Sequence, residues 1–243
     1  MATGPVLILS IDEKRYAGSA APTLSGFKAE IAPGSITAIL GPSGIGKSTL
    51  LRIIAGIDRN YSGHVTIDGQ PAAQAAPPGF LFQDPRLLPW LTASDNVRTA
   101  GRGVSTENAM AALSRTGLAD HANLYPHQLS GGMQRRAALA RALALNAKLL
   151  LLDEPFVSLD RSLVEEMYDL IDSVAASERP TMILVTHMAE DAARLADSIL
   201  VLSGRPAAIT ASLVLPMPIA ERDADTIVNY VEMIEAATGW DRM

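Results

Sequence analysis

Ile36-Thr-Ala-Ile-Leu-Gly-Pro-Ser-Gly-Ile-Gly-Lys-Ser-Thr-Leu-Leu-Arg-Ile-Ile-Ala55 decides how this chain folds. Its first five residues, apolar or β-branched, predict a buried strand over 36–40, and residues 48–55 predict the start of a helix. Between them Gly41, Pro42, Ser43, Gly44, Ile45, Gly46, Lys47, Ser48 and Thr49 fit G-x-x-x-x-G-K-[ST], the pattern of a phosphate-binding loop. The glycines let the backbone curl so that successive N–H groups point inward, and the helix N-terminus adds its partial positive charge to the same anion. In that setting Lys47 is expected to reach the β- and γ-phosphates of a nucleotide, and the Ser48 hydroxyl to serve as a Mg²⁺ ligand.

Working outward, strands are predicted over 6–11, 64–68 and 80–82, with turns at Ala32-Pro-Gly34 and Asp68-Gly69. From about 84 to 146 the pattern turns helical, with helices over 106–116 and 132–145, which predicts a helical lobe inserted into an α/β core. The core resumes with a strand over 148–153, a helix over 162–176, a strand over 181–186, a helix over 189–196 and a strand over 199–202. Such alternation argues a mostly parallel sheet covered by helices on both faces. Residues 224–237 predict one amphipathic helix, and the stretch Pro71-Ala-Ala-Gln-Ala-Ala-Pro-Pro78 predicts a surface loop.

The chain has 243 residues, enough for one sizeable core with a subordinate lobe, and 48 % of them are hydrophobic, which argues against disorder. A net charge of −6 argues against a broad nucleic-acid-binding surface. There is no cysteine, so disulfides, thiolate chemistry and cysteine-based zinc sites are excluded, and the four histidines have no metal-ligand spacing. No run approaches the roughly 18 to 20 apolar residues that span a bilayer, and the N-terminus has no basic segment followed by a long apolar core. A cytoplasmic protein is expected, with any membrane role exerted through a partner.

Leu149-Leu-Leu-Leu-Asp-Glu-Pro155 places two carboxylates at the C-terminal end of a buried strand, where ligands of open α/β sheets bind. Two adjacent acids also suit a solvated turn, but the upstream phosphate loop favours Asp153 holding Mg²⁺ and Glu154 polarising an attacking water. In Leu129-Ser-Gly-Gly-Met133, Ser130 offers a hydroxyl, and Gly131 and Gly132 offer bare N–H groups, at the start of another helix, a second N-terminus suited to an anion. Gln134, Arg135 and Arg136 follow, and a solvated polar face accounts for the arginines.

Taken together, these segments resemble the ATP-binding subunits of ATP-binding cassette (ABC) transporters over about residues 5–205. The resemblance makes 41–49 the P-loop, 129–133 the signature and Asp153 with Glu154 the Walker B pair. It makes Gln83 the Q-loop glutamine near Mg²⁺ and the membrane partner, Ser158-Leu-Asp160 the D-loop reaching across a dimer, and His187 the switch histidine at the γ-phosphate. It implies a P-loop NTPase (RecA-like) core with a mostly parallel sheet, an N-terminal antiparallel β subdomain and an inserted α-helical subdomain. One nucleotide-binding domain over 1–243 is expected, its core formed by 1–83 and 147–215, its helical lobe by 84–146 and its helical tail by 216–243. Two copies would meet head to tail around two MgATP, the signature of one closing over ATP held by the P-loop of the other. A membrane-spanning permease would convert that closure into transport. Tyr16 lies where the family stacks an aromatic ring on adenine, and an ordinary surface tyrosine remains the other reading; Phe27 competes, but sits in the apolar set Leu24, Phe27, Ile31.

Phe82-Gln-Asp-Pro-Arg-Leu-Leu-Pro-Trp-Leu-Thr92, with Asp95-Asn-Val97, Tyr125-Pro-His-Gln-Leu-Ser-Gly-Gly-Met-Gln134 and Leu202-Ser-Gly-Arg-Pro206, is most similar to the nitrate, sulfonate and taurine type of importer subunit. That type works with a secreted solute-binding protein, and places the subunit on the cytoplasmic face of the membrane. Leu87, Leu88, Trp90 and Leu91 suit either a groove for a permease helix or packing of the helical lobe. The chain departs from the family pattern in a short stretch between Gln83 and the signature, in Val157-Ser158 for Gly-Ala, and in Asp191 where glutamate is usual. An exporter or lipid-handling ABC ATPase, a soluble ABC ATPase without a permease, and a P-loop kinase or switch NTPase are the rival readings. The last leaves 129–133 and His187 unexplained.

Overall fold

The computed structural model describes residues 3–157 and 159–239, and among them the strands form two sheets. The smaller is antiparallel, built on β1 (Leu7–Lys14), β2 (Leu24–Ile31) and β4 (Ser62–Ile67) in the order β2-β1-β4, with the two residues of β5 (Gln70–Pro71) at its edge. Its register sets Leu9 against Ala29 on one side and Val65 on the other, so Leu7, Leu9 and Ile11 all fall on one buried face. That face packs against the helix α1 (Lys47–Ile54) through Leu50, Leu51, Ile53 and Ile54 in a common core cluster.

The larger sheet runs β10-β9-β3-β8-β7-β6, from β10 (Ala208–Val214) through β9 (Ser198–Ser203), β3 (Ile36–Leu40), β8 (Thr181–Thr186) and β7 (Leu149–Asp153) to β6 (Gly79–Leu81). All neighbours are parallel except β10, which pairs antiparallel with β9 at the edge. Every residue of β3, β7 and β8 is buried, as strands covered on both faces require. The phosphate loop therefore leaves the middle of the sheet, and the Asp153-Glu154 pair leaves a strand separated from it only by β8.

Between β6 and β7 lie α2 (Ala93–Arg98), α3 (Thr106–Arg115) and α4 (Gly131–Leu143), which bury Val97, Leu113, Leu118 and Ala137 in a core of their own. After β7 come α5 (Arg161–Glu178), α6 (Ala189–Leu195) and α7 (Ala224–Thr238), the last packed on α6 around the fully buried Ile234. β2, β10 and α2 have no counterpart in the sequence reading. β2 alternates core and solvent residues around Gly26, and β10 is an edge strand with no fully buried residue, so neither carries a run of apolar side chains. α2 is only six residues long, shorter than two helical turns. Among the described residues no helix is long and apolar enough to cross a membrane.

Candidate functional site

The turn from β3 into α1 is held by glycine for steric reasons. Gly46, the N-cap, has φ 120°, and a Cβ on it would lie 3.0 Å from Thr23 Cγ2 and 3.1 Å from Leu24 Cδ2. The buried Lys47 ammonium then folds back over the loop, donating to Gly41 O at 2.7 Å and Pro42 O at 3.1 Å. It also stands 3.3 Å from Glu154 Oε1. Burial pulls the Lys47 pKa below the ordinary lysine value, and the charges of Glu154 and Asp153 oppose that shift.

Ser48 Oγ donates to Asp153 Oδ1 at 3.1 Å, bringing a hydroxyl of α1 onto the carboxylate at the end of β7. Burial raises the Asp153 carboxyl above its ordinary value, with the Ser48 hydrogen bond acting against it. Glu154 has φ 47°, left-handed backbone that non-glycine residues rarely adopt, and its N–H donates to Val185 O at 2.9 Å. β8 is thereby tied to the carboxylate, and the residue after β8, His187, places Nδ1 3.4 Å from Glu154 Oε2 without forming a hydrogen bond to it.

Tyr16, Ser43, Gly44, Gly46, Lys47, Ser48, Thr49, Gln83 and Glu154 line one cleft of about 400 Å³. Asp153 and His187 do not line it but touch residues that do, Asp153 through Ser48 and His187 through Glu154. Tyr16 is half-exposed on the rim; its hydroxyl is 3.0 Å from Thr49 Oγ1, and the Lys14 ammonium lies 4.6 Å from its ring centroid. Phe27, with no exposed surface, belongs to the core. A larger cavity of about 520 Å³, lined by Phe156, Leu159, Arg161, Tyr168, His187 and Asp191 among others, includes none of residues 41–49.

Ser130 caps α4, its Oγ accepting from Met133 N at 3.2 Å, and Asp160 caps α5, its Oδ1 accepting from Leu163 N at 3.0 Å. The two backbone and hydroxyl donors at Asp160 hold its carboxyl below the ordinary carboxylate value. Ser130 and Gly131 are exposed, and none of Ser130, Gly131, Gly132 or Asp160 lines the cleft that holds Lys47. Ser158, the first residue of the D-loop reading, lies outside the described residues.

Two residues take places that the sequence pattern does not indicate. Arg135 is not on a solvated face: it is 8 % exposed and donates to Pro155 O at 3.3 Å and to Val157 O, immediately after Glu154. The helical spacing Gly132, Arg135, Leu139, Leu143 puts it on the core side, a signal outweighed by its charge and by its basic neighbour Arg136. Asn96, fully buried, accepts from Leu88 N at 2.6 Å and donates to Leu88 O, Leu91 O and Thr92 O, so one amide fixes the turn that carries Trp90. That turn divides the apolar cluster: Leu87 packs into the core, while Trp90 is 69 % exposed.

A family model described as ABC transporter matches residues 24–157, a span that contains the phosphate loop, Gln83, the Ser130 cap and the Asp153-Glu154 pair. The chain belongs to the ABC transporter family. It is 39 % identical over 237 residues to the aliphatic sulfonates import ATP-binding protein SsuB 2 of Burkholderia cenocepacia, covering 96 % of this chain and 87 % of that one. To the SsuB 1 protein of Pseudomonas fluorescens it is 43 % identical over 206 residues, covering 84 % of this chain and 76 % of the relative. Among solved structures, a dimeric ATP-binding cassette in a post-hydrolysis state with ADP and Pi matches with a TM-score of 0.76 at 30 % identity, over 87 % of this chain and all of the other. An Atm1-family exporter with ATP bound matches with a TM-score of 0.77 at 26 % identity, over 97 % of this chain and 42 % of the exporter. The fold is that of the ATP-hydrolysing cassette of this family, with its α/β core, its antiparallel β subdomain and its helical insertion.

Proposed function

We propose that this chain hydrolyses ATP to drive import of an aliphatic sulfonate or a related small anion through a separate permease. The observation that carries the reading is the meeting of Lys47, Ser48, Asp153 and Glu154 in hydrogen-bond and ion-pair range at the ends of β3 and β7. The solute class rests on the sulfonate importer subunits, whose identity of 39 to 43 % extends over most of the chain.

In this reading residues 41–49 cradle the triphosphate, with Lys47 on the β- and γ-phosphates and Tyr16 stacked on adenine, its Thr49 hydrogen bond and the Lys14 cation fixing the ring from the protein side. Ser48 and Asp153 offer the hard oxygen donors that Mg²⁺ takes, already 3.1 Å apart, with the Gln83 side chain on the same cleft. A Mg²⁺ ion held by these oxygens would supply neutralisation of phosphate charge. Glu154 polarises the attacking water, and His187 sits against the same carboxylate from the end of β8 to contact the γ-phosphate. Ser130, Gly131 and Gly132 complete the site from a second copy, head to tail, with Asp160 reaching across. The exposure of Ser130, Gly131 and Asp160 outside the cleft of their own chain supports that arrangement.

The domain division follows: 1–83 and 147–215 form the core with its β subdomain, 84–146 a helical lobe with its own apolar cluster, and 216–243 a helical tail, of which 240–243 lie outside the described residues. The subunit is held at the cytoplasmic face of the membrane by the permease, with the exposed Trp90 beside the Q-loop as its contact. A secreted solute-binding protein delivers the solute. Reconstitution with the permease and binding protein in liposomes tests this: ATPase activity is expected to rise when an aliphatic sulfonate is supplied on the binding-protein side. Activity indifferent to permease and solute rules the importer reading out.

A further inference from the structure

We propose that Arg135 is a positioning residue for hydrolysis, through which the signature helix holds the backbone of Glu154 and the loop that leads to Asp160. The inference rests on the nucleotide reading above and adds to it a residue outside the P-loop, Walker B, Q-loop, D-loop, signature and switch motifs. Arg135 lies on α4, five positions beyond Ser130. One guanidinium nitrogen donates to Pro155 O at 3.3 Å and stands 3.5 Å from Glu154 O, at the outer limit of a hydrogen bond; the other terminal nitrogen donates to Val157 O. A single rigid fork thus faces three carbonyls of one turn. A lysine could not span them.

Packing does not account for this side chain. Arg135 is 8 % exposed, and among the described residues it forms no ion pair, with Asp84 acting only as a more distant countercharge. An apolar side chain of similar length would fill the volume without the cost of desolvating a cation. What the cation provides is satisfaction of main-chain acceptors just where the chain is hardest to hold, since Glu154 adopts φ 47°. The helix that follows the same loop is met by the same α4: Gly132 packs against Leu163 on α5, the helix that Asp160 caps, and a Cβ on Gly132 would lie 2.6 Å from Leu163 Cδ1. α4 therefore contacts the turn that begins at Glu154 and the helix that follows Asp160, so a shift of the signature helix is transmitted to the backbone that carries the hydrolytic carboxylate.

The test uses the subunit purified with its permease and compares Arg135→Met, Arg135→Lys and the unaltered protein. For Arg135→Met, kcat is expected to fall by roughly tenfold or more, while the KM for ATP and the binding of a fluorescent ATP analogue stay within about twofold. Arg135→Lys recovers part of the rate, since an ammonium still donates to one or two of the carbonyls. In a Glu154→Gln background the Arg135→Met change has no further effect, because it acts through that carboxylate. A kcat retained in Arg135→Met overturns the proposal. So does a kcat that falls only in step with ATP affinity and melting temperature, or a loss that multiplies in the Glu154→Gln background. An unaltered protein that neither binds nor hydrolyses ATP overturns the nucleotide reading itself, a result separable from all of these.

Discussion

Lys47 Nζ and Glu154 Oε1 lie 3.3 Å apart inside the protein, so the ammonium proposed to bind phosphate and the carboxylate proposed to polarise water form one ion pair. In the proposed reading a γ-phosphate seated in the loop would compete with Glu154 for that ammonium and release Glu154 toward the attacking water. Glu154→Gln removes both the base and the competitor. Its hydrolysis rate is expected to fall by about 10²-fold or more, with ATP affinity equal to or tighter than that of the unaltered protein. Size-exclusion chromatography with ATP should show a persistent dimer, and a Glu154→Gln protein that turns over at the normal rate would remove Glu154 from its role.

Because Ser130 and Lys47 do not share a cleft within one chain, defects in the two should complement each other. Lys47→Ala and Ser130→Arg are each expected to be inactive alone. In a head-to-tail mixed dimer one site collects both defects and the other collects neither. Random mixing of equal amounts makes half of the dimers mixed, restoring about a quarter of the normal sites. A mixture no more active than its two components would place the signature and the P-loop in the same chain's site.

Most of this site could be read from the sequence because its chemistry is local. The strand, glycine turn and helix of 36–55 announce themselves by residue type, and so do four leucines followed by Asp153 and Glu154. What brings these segments together is the order of β3, β8 and β7 in the sheet, which no single segment encodes. The residues that support the site were harder to see. Arg135 reads as a surface cation until its helical partners Leu139 and Leu143 are placed in the core, and Asn96 reads as a loop amide until Leu88, Leu91 and Thr92 fold around it. In both cases the side chain satisfies backbone groups that become buried only when the tertiary structure forms. β2 and β10 escaped notice for a related reason: strands with one wet face lack the continuous apolar run by which β7 and β8 are found.

The half-exposed Tyr16 ring separates stacking from hydrogen bonding. Its hydroxyl meets Thr49 Oγ1 at 3.0 Å and the Lys14 ammonium lies over its ring, yet 41 % of the residue stays exposed. Tyr16→Ala is expected to raise the KM for ATP by about tenfold with little change in kcat, in keeping with the worth of one base stacked on an aromatic ring. Tyr16→Phe keeps the ring and should change KM by no more than about twofold. Stacking also tolerates any purine, so the penalty in Tyr16→Ala should be similar for GTP. Equal KM values for all three proteins would leave Tyr16 as a surface tyrosine.

Asp191, which stands where the family usually has glutamate, sits in a different electrostatic position from the cap at Asp160. It is buried, accepts from Tyr168 Oη at 2.6 Å and from Thr186 Oγ1, and Thr186 Oγ1 in turn accepts from Met188 N at 3.0 Å, so the network brackets His187. Burial raises its pKa above the ordinary 3.8, with both hydroxyl hydrogen bonds opposing the shift. Between 3.8 and the raised folded value the native chain keeps a proton that the unfolded chain has lost, so this group's stabilisation is complete below 3.8 and declines as pH rises through the folded pKa. Asp191→Asn cannot titrate, and Asp153, whose pKa is also raised, is common to both proteins and cancels in the comparison. Urea unfolding over a pH series should therefore show the unaltered protein losing ground to Asp191→Asn as pH rises, and then a constant difference once Asp191 is ionised. A difference that widens in favour of the unaltered protein with rising pH would mean that the hydroxyls outweigh burial and that Asp191 is held as a carboxylate beside His187.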